Sequence, residues 1–294
     1  MNITQRRYKI LIDFEKVYRF LEETYDPVTL NSYLLPQYFE YAHMHSYFDY
    51  FNTHHFGIWE DGGKTTGIAC YEMGMGDCHM HIRKGYEALL PELFTWAEKE
   101  LSVVKDGKRS LKVWITDKEL NKRELLQTSG YELSHTEPVK VFDYSKPFVE
   151  KSLPDGFTLI DGTNVDYVKL HHCWWKGFDH GDNPDNDIDG RIFGCNAPHA
   201  DMSLMTIVVA PDGEYACALG MWLDERNQYA YLEPLATIPK YRRMGLAAVA
   251  LTEAMKKTKA LGAKYCFGGG MEFYSSIGFE KICSRELWKK EWQE

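Results

Sequence analysis

Apolar and polar residues trade places along this chain in short runs, and the runs come in the same order twice. In the first half, FGIWEDGGKTTGIACYEM reads as two strands around Asp61-Gly62. In the second, SLMTIVVAPDGEYACALGMWL reads as two strands around Asp212-Gly213. Asp-Gly between β-rich runs is a hairpin signal, because both residues tolerate positive φ. The first half continues with a strand CHMHI, a helix YEALLPELFTWAEKEL, a strand SLKVWIT, a short helix ELNKRELLQTSG and the run YELSHTEPVKVFDY. The second half continues with YAYLEPLAT, a helix from about Gly245, a strand KYCFGG and MEFYSSIGFEKICSRELW. The landmarks QTSGYE and SSIGFE close the two series. Gly130 and Gly278 lie 148 residues apart, and Asp61 and Asp212 lie 151 apart. Such nearly constant spacing predicts a duplicated domain. The turn formers Pro147, Pro154 and Gly156 place the seam between them, giving domains 1–150 and 151–294. Hairpins mixed with helices make the fold class α/β or α+β, each domain a mixed, mostly antiparallel sheet flanked by helices.

The helix after Gly245 is amphipathic. Ala247, Ala250, Leu251, Ala254, Thr258 and Leu261 recur at helical spacing, while Glu253, Lys256, Lys257 and Lys259 face away. Gly262 fits the residue just past the helix, and the lysines suit the negative end of its dipole. The other end is positive and carries unpaired N–H groups. Gly245 permits the tight turn and a close ligand, and Arg242 and Arg243 add charge. These features suit an anion such as pyrophosphate. Taken alone they also suit an ordinary strand–turn–helix connection with its arginines in solvent.

Composition narrows the function classes. The chain has 294 residues, 44% of them apolar and 14% aromatic, enough for real cores. A net charge of −9 argues against a nucleic-acid partner. No apolar run is long enough to span a membrane, and the mixed, charged N-terminus lacks a signal-peptide pattern. The seven cysteines are scattered without a CxxC pair, as expected of reduced thiols in a cytoplasmic protein.

PKYRRMGLA resembles the acyl-CoA-binding motif of the GNAT superfamily of N-acetyltransferases, in which Arg or Gln, two residues, Gly, one residue, then Gly or Ala follow a strand. Arg242, Gly245 and Ala247 match it. FYSSIGFE resembles the family's tyrosine-bearing helix before its closing Gly-Phe. The resemblance covers about residues 157 to 290. The first half looks like a divergent copy; its equivalent junction, HIRKGYEALL, lacks the motif and is expected to be non-catalytic.

The resemblance implies acetyl-CoA as cosubstrate, no metal, and a small-molecule amine as acceptor. Arg242, Arg243, Met244, Gly245, Leu246 and Ala247 would hold the pyrophosphate. Ala236 and Thr237 would bond the pantetheine arm through their main chain, beside a splayed strand pair. Pro234, lacking an N–H, fits an edge, bulge or splayed site. Tyr274 aligns with the family's tyrosine and is the candidate acid; at its ordinary pKa it holds a proton for the departing thiolate. It also fits a packed core position. Glu233 is the candidate base. Strict alternation would set Tyr231, Glu233 and Leu235 on one face, where burial would raise a carboxylate's pKa. A solvated strand carboxylate is the plainer alternative.

The first two helices of such a domain cover the acceptor. Here they hold HHCWWKGFDHGDNPDNDIDG. Trp174, Trp175, Phe178 and His180 would wall a pocket, with Asp179, Asp182, Asp185 and Asp187 attracting the amine; core packing and a solvated loop are the alternatives. Asp185-x-Asp187-x-Asp189-Gly190 imitates the opening of an EF-hand loop, but Asn196 stands where a bidentate Glu is needed. His79 with His81, and His171 with His172, have no third ligand at a recognised spacing, so no zinc site is expected. Two functions follow: an N-acetyltransferase, or a non-catalytic acyl-CoA sensor. The first half could complete the acceptor cleft or form a homodimer surface.

Overall fold

A computed structural model describes residues 2–293. Along the chain run β1 (Ile3–Arg7), α1 (Ile10–Glu23), α2 (Pro36–His43), β2 (Gly57–Asp61), β3 (Lys64–Cys70), β4 (Asp77–Ile82), α3 (Leu90–Trp96), β5 (Val103–Lys105), β6 (Lys108–Thr116), α4 (Leu120–Thr128) and β7 (Glu132–Asp143). There follow β8 (Thr158–Asp161), α5 (Tyr167–Gly177), α6 (Ile188–Cys195), β9 (Thr206–Val209), β10 (Tyr215–Asp224), β11 (Tyr229–Thr237), α7 (Leu246–Ala260), β12 (Tyr265–Gly268), α8 (Glu272–Ser276) and β13 (Glu280–Gln293). Both expected hairpins form, β2–β3 and β9–β10. The single helix expected over 86–101 is instead a 3-10 turn, α3 and a π turn, Ala97–Leu101. Pro91 explains the late start of α3: it stands in the helix's first turn, where its missing N–H does no harm.

Two compact units emerge. The first runs to Pro138 and takes in the chain from Cys283 onward; the second is Val139–Ile282. The strand order in the first is β1-β2-β3-β4-β6-β13, with β5 also on β6. Only β4–β6 is parallel. The second reads β8-β9-β10-β11-β12-β7, and only β11–β12 is parallel. The duplication is therefore visible strand for strand. The last strand of each sheet departs from the expected division at 150. Residues Lys140–Asp143 of β7 pair with β12, and residues Arg285–Gln293 of β13 pair with β6. Turn-forming prolines could not show which sheet the flanking strands join, and Pro147, Pro154 and Gly156 all lie within the second unit.

In the second unit α7 covers one face of the sheet. Its Leu246, Ala248, Ala250, Leu251, Ala254 and Met255 share a core with Cys217, Leu219, Met221 and Leu232. The alanines let helix and sheet approach closely, which is how a modest apolar stripe fills the space. Gly262 is left-handed at φ +102°, as its place beyond the helix requires, but Leu261 is 56% exposed rather than buried. α5 covers the other face, setting Leu170, Cys173 and Trp174 against Ile207, Ala218 and Ala236.

In the first unit α1 and α2 pack on one another, with Phe14 and Phe39 stacked 5.7 Å apart. Burial, reinforced by Glu72, pushes the Asp77 carboxyl up to about 7, and burial holds His79 down to about 3. Among the described residues no helix is long and apolar enough to cross a membrane.

Removing residues 283–294 strips β13 from the first unit's sheet and uncovers the full length of β6. A chain ending at Ile282 is expected to lose cooperative unfolding of that unit in a urea titration followed by near-UV circular dichroism. An unchanged transition would contradict the assignment of β13 to the first unit.

Candidate active site

The site begins where β11 ends. Pro239–Tyr241 forms one 3-10 turn, Arg242 is extended, Arg243 takes φ +67°, and Gly245 caps α7 at φ 82°, ψ 2°. A left-handed arginine is costly, on the order of 1 kcal/mol, and persists only where surrounding contacts impose it. The first helical bond runs from Val249 N–H to Gly245 O at 3.2 Å. The N–H groups of Leu246, Ala247 and Ala248 therefore precede the helical ladder, and no side chain caps them. A Cβ at Gly245 would touch only the Lys151 Cδ, at 3.8 Å. The glycine serves backbone shape, and the space before it is open. Lys151 was not apparent from the sequence, since nothing but folding brings it beside Gly245.

The two arginines divide their work. Arg243 and Lys151 are exposed and enter no ion pair among the described residues. Arg242 donates from Nε to Thr237 O at 3.1 Å, and from Nη2 to Gly177 O and to Asp179 Oδ1, both at 2.9 Å. It ties the end of β11 to the end of α5 instead of presenting its charge to an anion. Gly177 makes that junction possible, because a Cβ there would lie 2.7 Å from the Ala236 Cβ and 3.1 Å from the Thr237 nitrogen. Lys240 is likewise committed: its ammonium sits 2.6 Å from Glu214, which also receives Lys176 at 3.3 Å. Burial pushes the Glu214 carboxyl up, but these two cations outweigh it and leave it lowered.

β11 leaves its neighbours on both sides. Toward β10 the register slips between Leu219↔Leu235 and Met221↔Leu232, so Glu233 and Pro234 both oppose Gly220. This is a bulge, and the Glu233–Pro234 peptide within it is cis. Gly220 is obligatory, since a Cβ there would stand 2.4 Å from Glu233 O. The Trp222 indole donates to the same carbonyl at 3.1 Å. The extra residue shifts the phase of the strand. Tyr231 pairs with Trp222 while Leu235 pairs with Leu219, so the two lie on opposite faces, and the expected Tyr231–Glu233–Leu235 face does not exist. Glu233 itself is half-buried.

Toward β12 the parallel pairing ends at Tyr231↔Phe267, although β11 continues to Thr237. The main chain around Ala236 and Thr237 therefore has no β12 partner, as the resemblance implied. At the end of β12 a Cβ on Gly269 would meet Tyr274 Cε2 at 2.7 Å and its hydroxyl oxygen at 3.3 Å; one on Gly268 would meet Tyr274 Cδ1 at 2.8 Å. The first two glycines of GGGME make room for this ring. Tyr274 packs edge-on to Phe279, with centroids 5.4 Å apart. Lys140 Nζ donates to Met271 O at 3.0 Å and steadies the turn into α8. The ring is thus both packed and delivered to the strand end where β11 and β12 part.

The acceptor-side residues separate. Trp174 is 4% exposed, its indole donates to Ala218 O at 3.2 Å, and the Arg191 guanidinium lies 4.4 Å above the ring. It is a core residue and does not wall a pocket, because Leu170, Cys173, Trp174 and Gly177 form the stripe of α5 that faces the sheet. Trp175, Phe178 and His180 lie off that stripe. Trp175 and His180 pair at 5.1 Å, and Phe178 is 46% exposed. The acids serve local ends. Asp187 caps α6 through Gly190 N–H at 3.0 Å, Asp185 accepts from Asp187 N–H at 3.0 Å, and Asp179 holds Arg242. The EF-hand imitation is thus a turn and a helix cap.

The first unit offers no comparable cradle. At its equivalent junction the Gly85 N–H is already met by Glu87 at 2.9 Å, and that bond lowers the Glu87 pKa. A built-in carboxylate there repels an incoming phosphate.

Residues 167–279 match the family model for acetyltransferase (GNAT) proteins. No curated protein matches the sequence. Among solved structures, the chain resembles a GCN5-related N-acetyltransferase from Sphaerobacter thermophilus, at TM-score 0.63 and 13% identity over 99% of this chain and 96% of that one. It also resembles a tandem GNAT protein from the clavulanic acid biosynthesis pathway, at TM-score 0.63 and 9% identity over 99% and 98%. A GNAT-family acetyltransferase from Colwellia psychrerythraea aligns at TM-score 0.58 and 13% identity over 99% and 100%. At these identities the likeness is one of fold: two GNAT-like units in tandem.

The division of α5 can be checked by stability. Trp174→Ala is expected to cost about 3–5 kcal/mol in urea unfolding, as for a buried aromatic. Phe178→Ala is expected to stay within about 0.5 kcal/mol of the parent. Equal effects would contradict the assigned faces.

Proposed function

We propose that this chain, whose residues 167–279 match the family model for acetyltransferase (GNAT) proteins, moves an acetyl group from acetyl-CoA to the primary amine of a small molecule. The observation that carries the reading is the start of α7: three unpaired N–H groups behind a left-handed Gly245, flanked by exposed Arg243 and Lys151. The open space before Gly245 fits a pyrophosphate, and each such helix-end contact is worth about 0.3–1 kcal/mol, more when partly buried. Leu246 and Ala247 would hold the phosphates by main-chain N–H groups, with Met244 and Gly245 shaping the loop. The stretch of β11 around Ala236 and Thr237 has no β12 partner and would receive the pantetheine arm along that edge. Arg242 acts by position, keeping strand and helix ends in place.

Bound acetyl-CoA would supply the activated acyl group as a thioester. The chain's own residues would then manage protons. Tyr274 would donate its hydroxyl proton toward the departing sulfur, and Glu233 would accept one from the amine, directly or through water. Direct attack by the amine is favoured because all seven cysteines are buried. Burial pushes the Cys217 and Cys266 thiols up to about 12, far from a nucleophilic thiolate. The exposed side of α5, with Trp175, Phe178 and His180, would face the acceptor.

A panel of amines with acetyl-CoA, followed by release of free thiol, tests the activity. Tyr274→Phe is expected to lower turnover by roughly 10²–10⁴-fold while leaving coenzyme affinity unchanged. Gly245→Asp is expected to abolish coenzyme binding, since it sets a carboxylate and a Cβ beside the phosphates. Coenzyme binding without turnover on any amine would favour the sensor instead, and wild-type affinity in Gly245→Asp would refute the cradle.

A further inference from the structure

The first unit contains a polar cluster that acyl transfer does not use. Asp77 and His79 stand two apart on β4 and so share a face of the strand. The loop leading into β4 returns Glu72 to the same place. One ligand atom from each of Glu72, Asp77 and His79 lies within 4.8 Å of the others. His79 is wholly buried, and neither of its ring nitrogens makes a hydrogen bond of ordinary geometry; the Ser32 backbone interacts with the ring but offsets only part of the effect of burial. A buried imidazole with both nitrogens unmet is unfavourable by about 1–3 kcal/mol, so its retention needs a reason.

The neighbouring cations do not supply one. Arg285 is engaged by Glu137 at 3.0 Å and by the Tyr38 hydroxyl at 3.2 Å, and it is sandwiched against Trp114 and Tyr33. Lys112, beside Asp77 in the β4–β6 ladder, is exposed. Asp77 accepts one N–H, from Cys78 at 2.8 Å. The Tyr38 hydroxyl bonds Glu72, and Lys112 and Arg285 attract Asp77, but burial and the neighbouring Glu72 outweigh those cations at Asp77, and both carboxylates stand beside the imidazole. Both acids are only half-buried, which leaves a path from solvent.

We propose that Glu72, Asp77 and His79 bind one divalent transition-metal cation, with zinc or manganese as the fitting chemistry. Two carboxylate oxygens and one imidazole nitrogen suit those ions better than the all-oxygen shells of calcium or magnesium. Three protein ligands leave a position for water or a further ligand. The sequence hid this site, because its third ligand comes from a loop and follows no recognised spacing. The inference is independent of the acyl-transfer reading.

The test uses the full chain, stripped with a chelator and dialysed against Mn²⁺, which has little affinity for thiols, and separately against Zn²⁺. Bound metal is counted by elemental analysis and Mn²⁺ also by its electron paramagnetic resonance signal. One equivalent is expected. Glu72→Gln and Asp77→Asn, each shown folded by circular dichroism, are expected to weaken binding at least about 10-fold. No stoichiometric binding of either ion to the parent chain, or parent-like binding in either variant, would overturn the proposal.

Discussion

Everything at the site depends on two adjacent strands parting company. A backbone that stays paired has no N–H or C=O to offer a ligand. β11 is released from β12 after Tyr231 and carries a bulge against β10 at Glu233–Pro234. Glycines make room at both places. Gly220 yields to the Glu233 carbonyl, and Gly268 and Gly269 yield to the Tyr274 ring. Buried backbone polar groups are almost always satisfied, so a strand freed in this way is a standing invitation to a hydrogen-bonding partner.

The electrostatics follow from that geometry. Basic residues crowd the turn before α7, yet most are already committed: Lys240 to Glu214, Arg242 to Asp179 and two carbonyls. Their task is to fix the turn. The positive potential left for a ligand comes from the helix end and from Arg243 and Lys151. This division would let a chain of net charge −9 receive an anion there. The first unit repeats the strand order but meets its own loop N–H with Glu87. The two units share a strand order and differ at this junction.

Much of this was legible from local pattern. Asp-Gly turns located both hairpins, helical periodicity and Gly262 framed α7, and Gly245 marked the left-handed turn. Pro234 pointed to a bulge or splay. What escaped depends on contacts between distant residues. A single extra residue in β11 reversed the phase beyond it, so Leu235 fell on the face opposite Tyr231. Trp174 and Trp175 are adjacent in sequence, yet only the first lies on the stripe of α5 that meets the sheet. Lys151, Lys140 and Gly177 gain meaning from neighbours about 60 to 130 residues away. The same holds for Glu72 beside His79, and for β13, which belongs to the first sheet although it ends the chain.

In the proposed function, main-chain N–H groups at the start of α7 grip a phosphate-bearing coenzyme. Amide hydrogen exchange at Leu246, Ala247 and Ala248, followed with and without saturating coenzyme A, addresses those groups individually. Exchange at these three amides is expected to slow on binding, together with that of Ala236 and Thr237. Unchanged exchange at all of them, with coenzyme demonstrably bound, would contradict it.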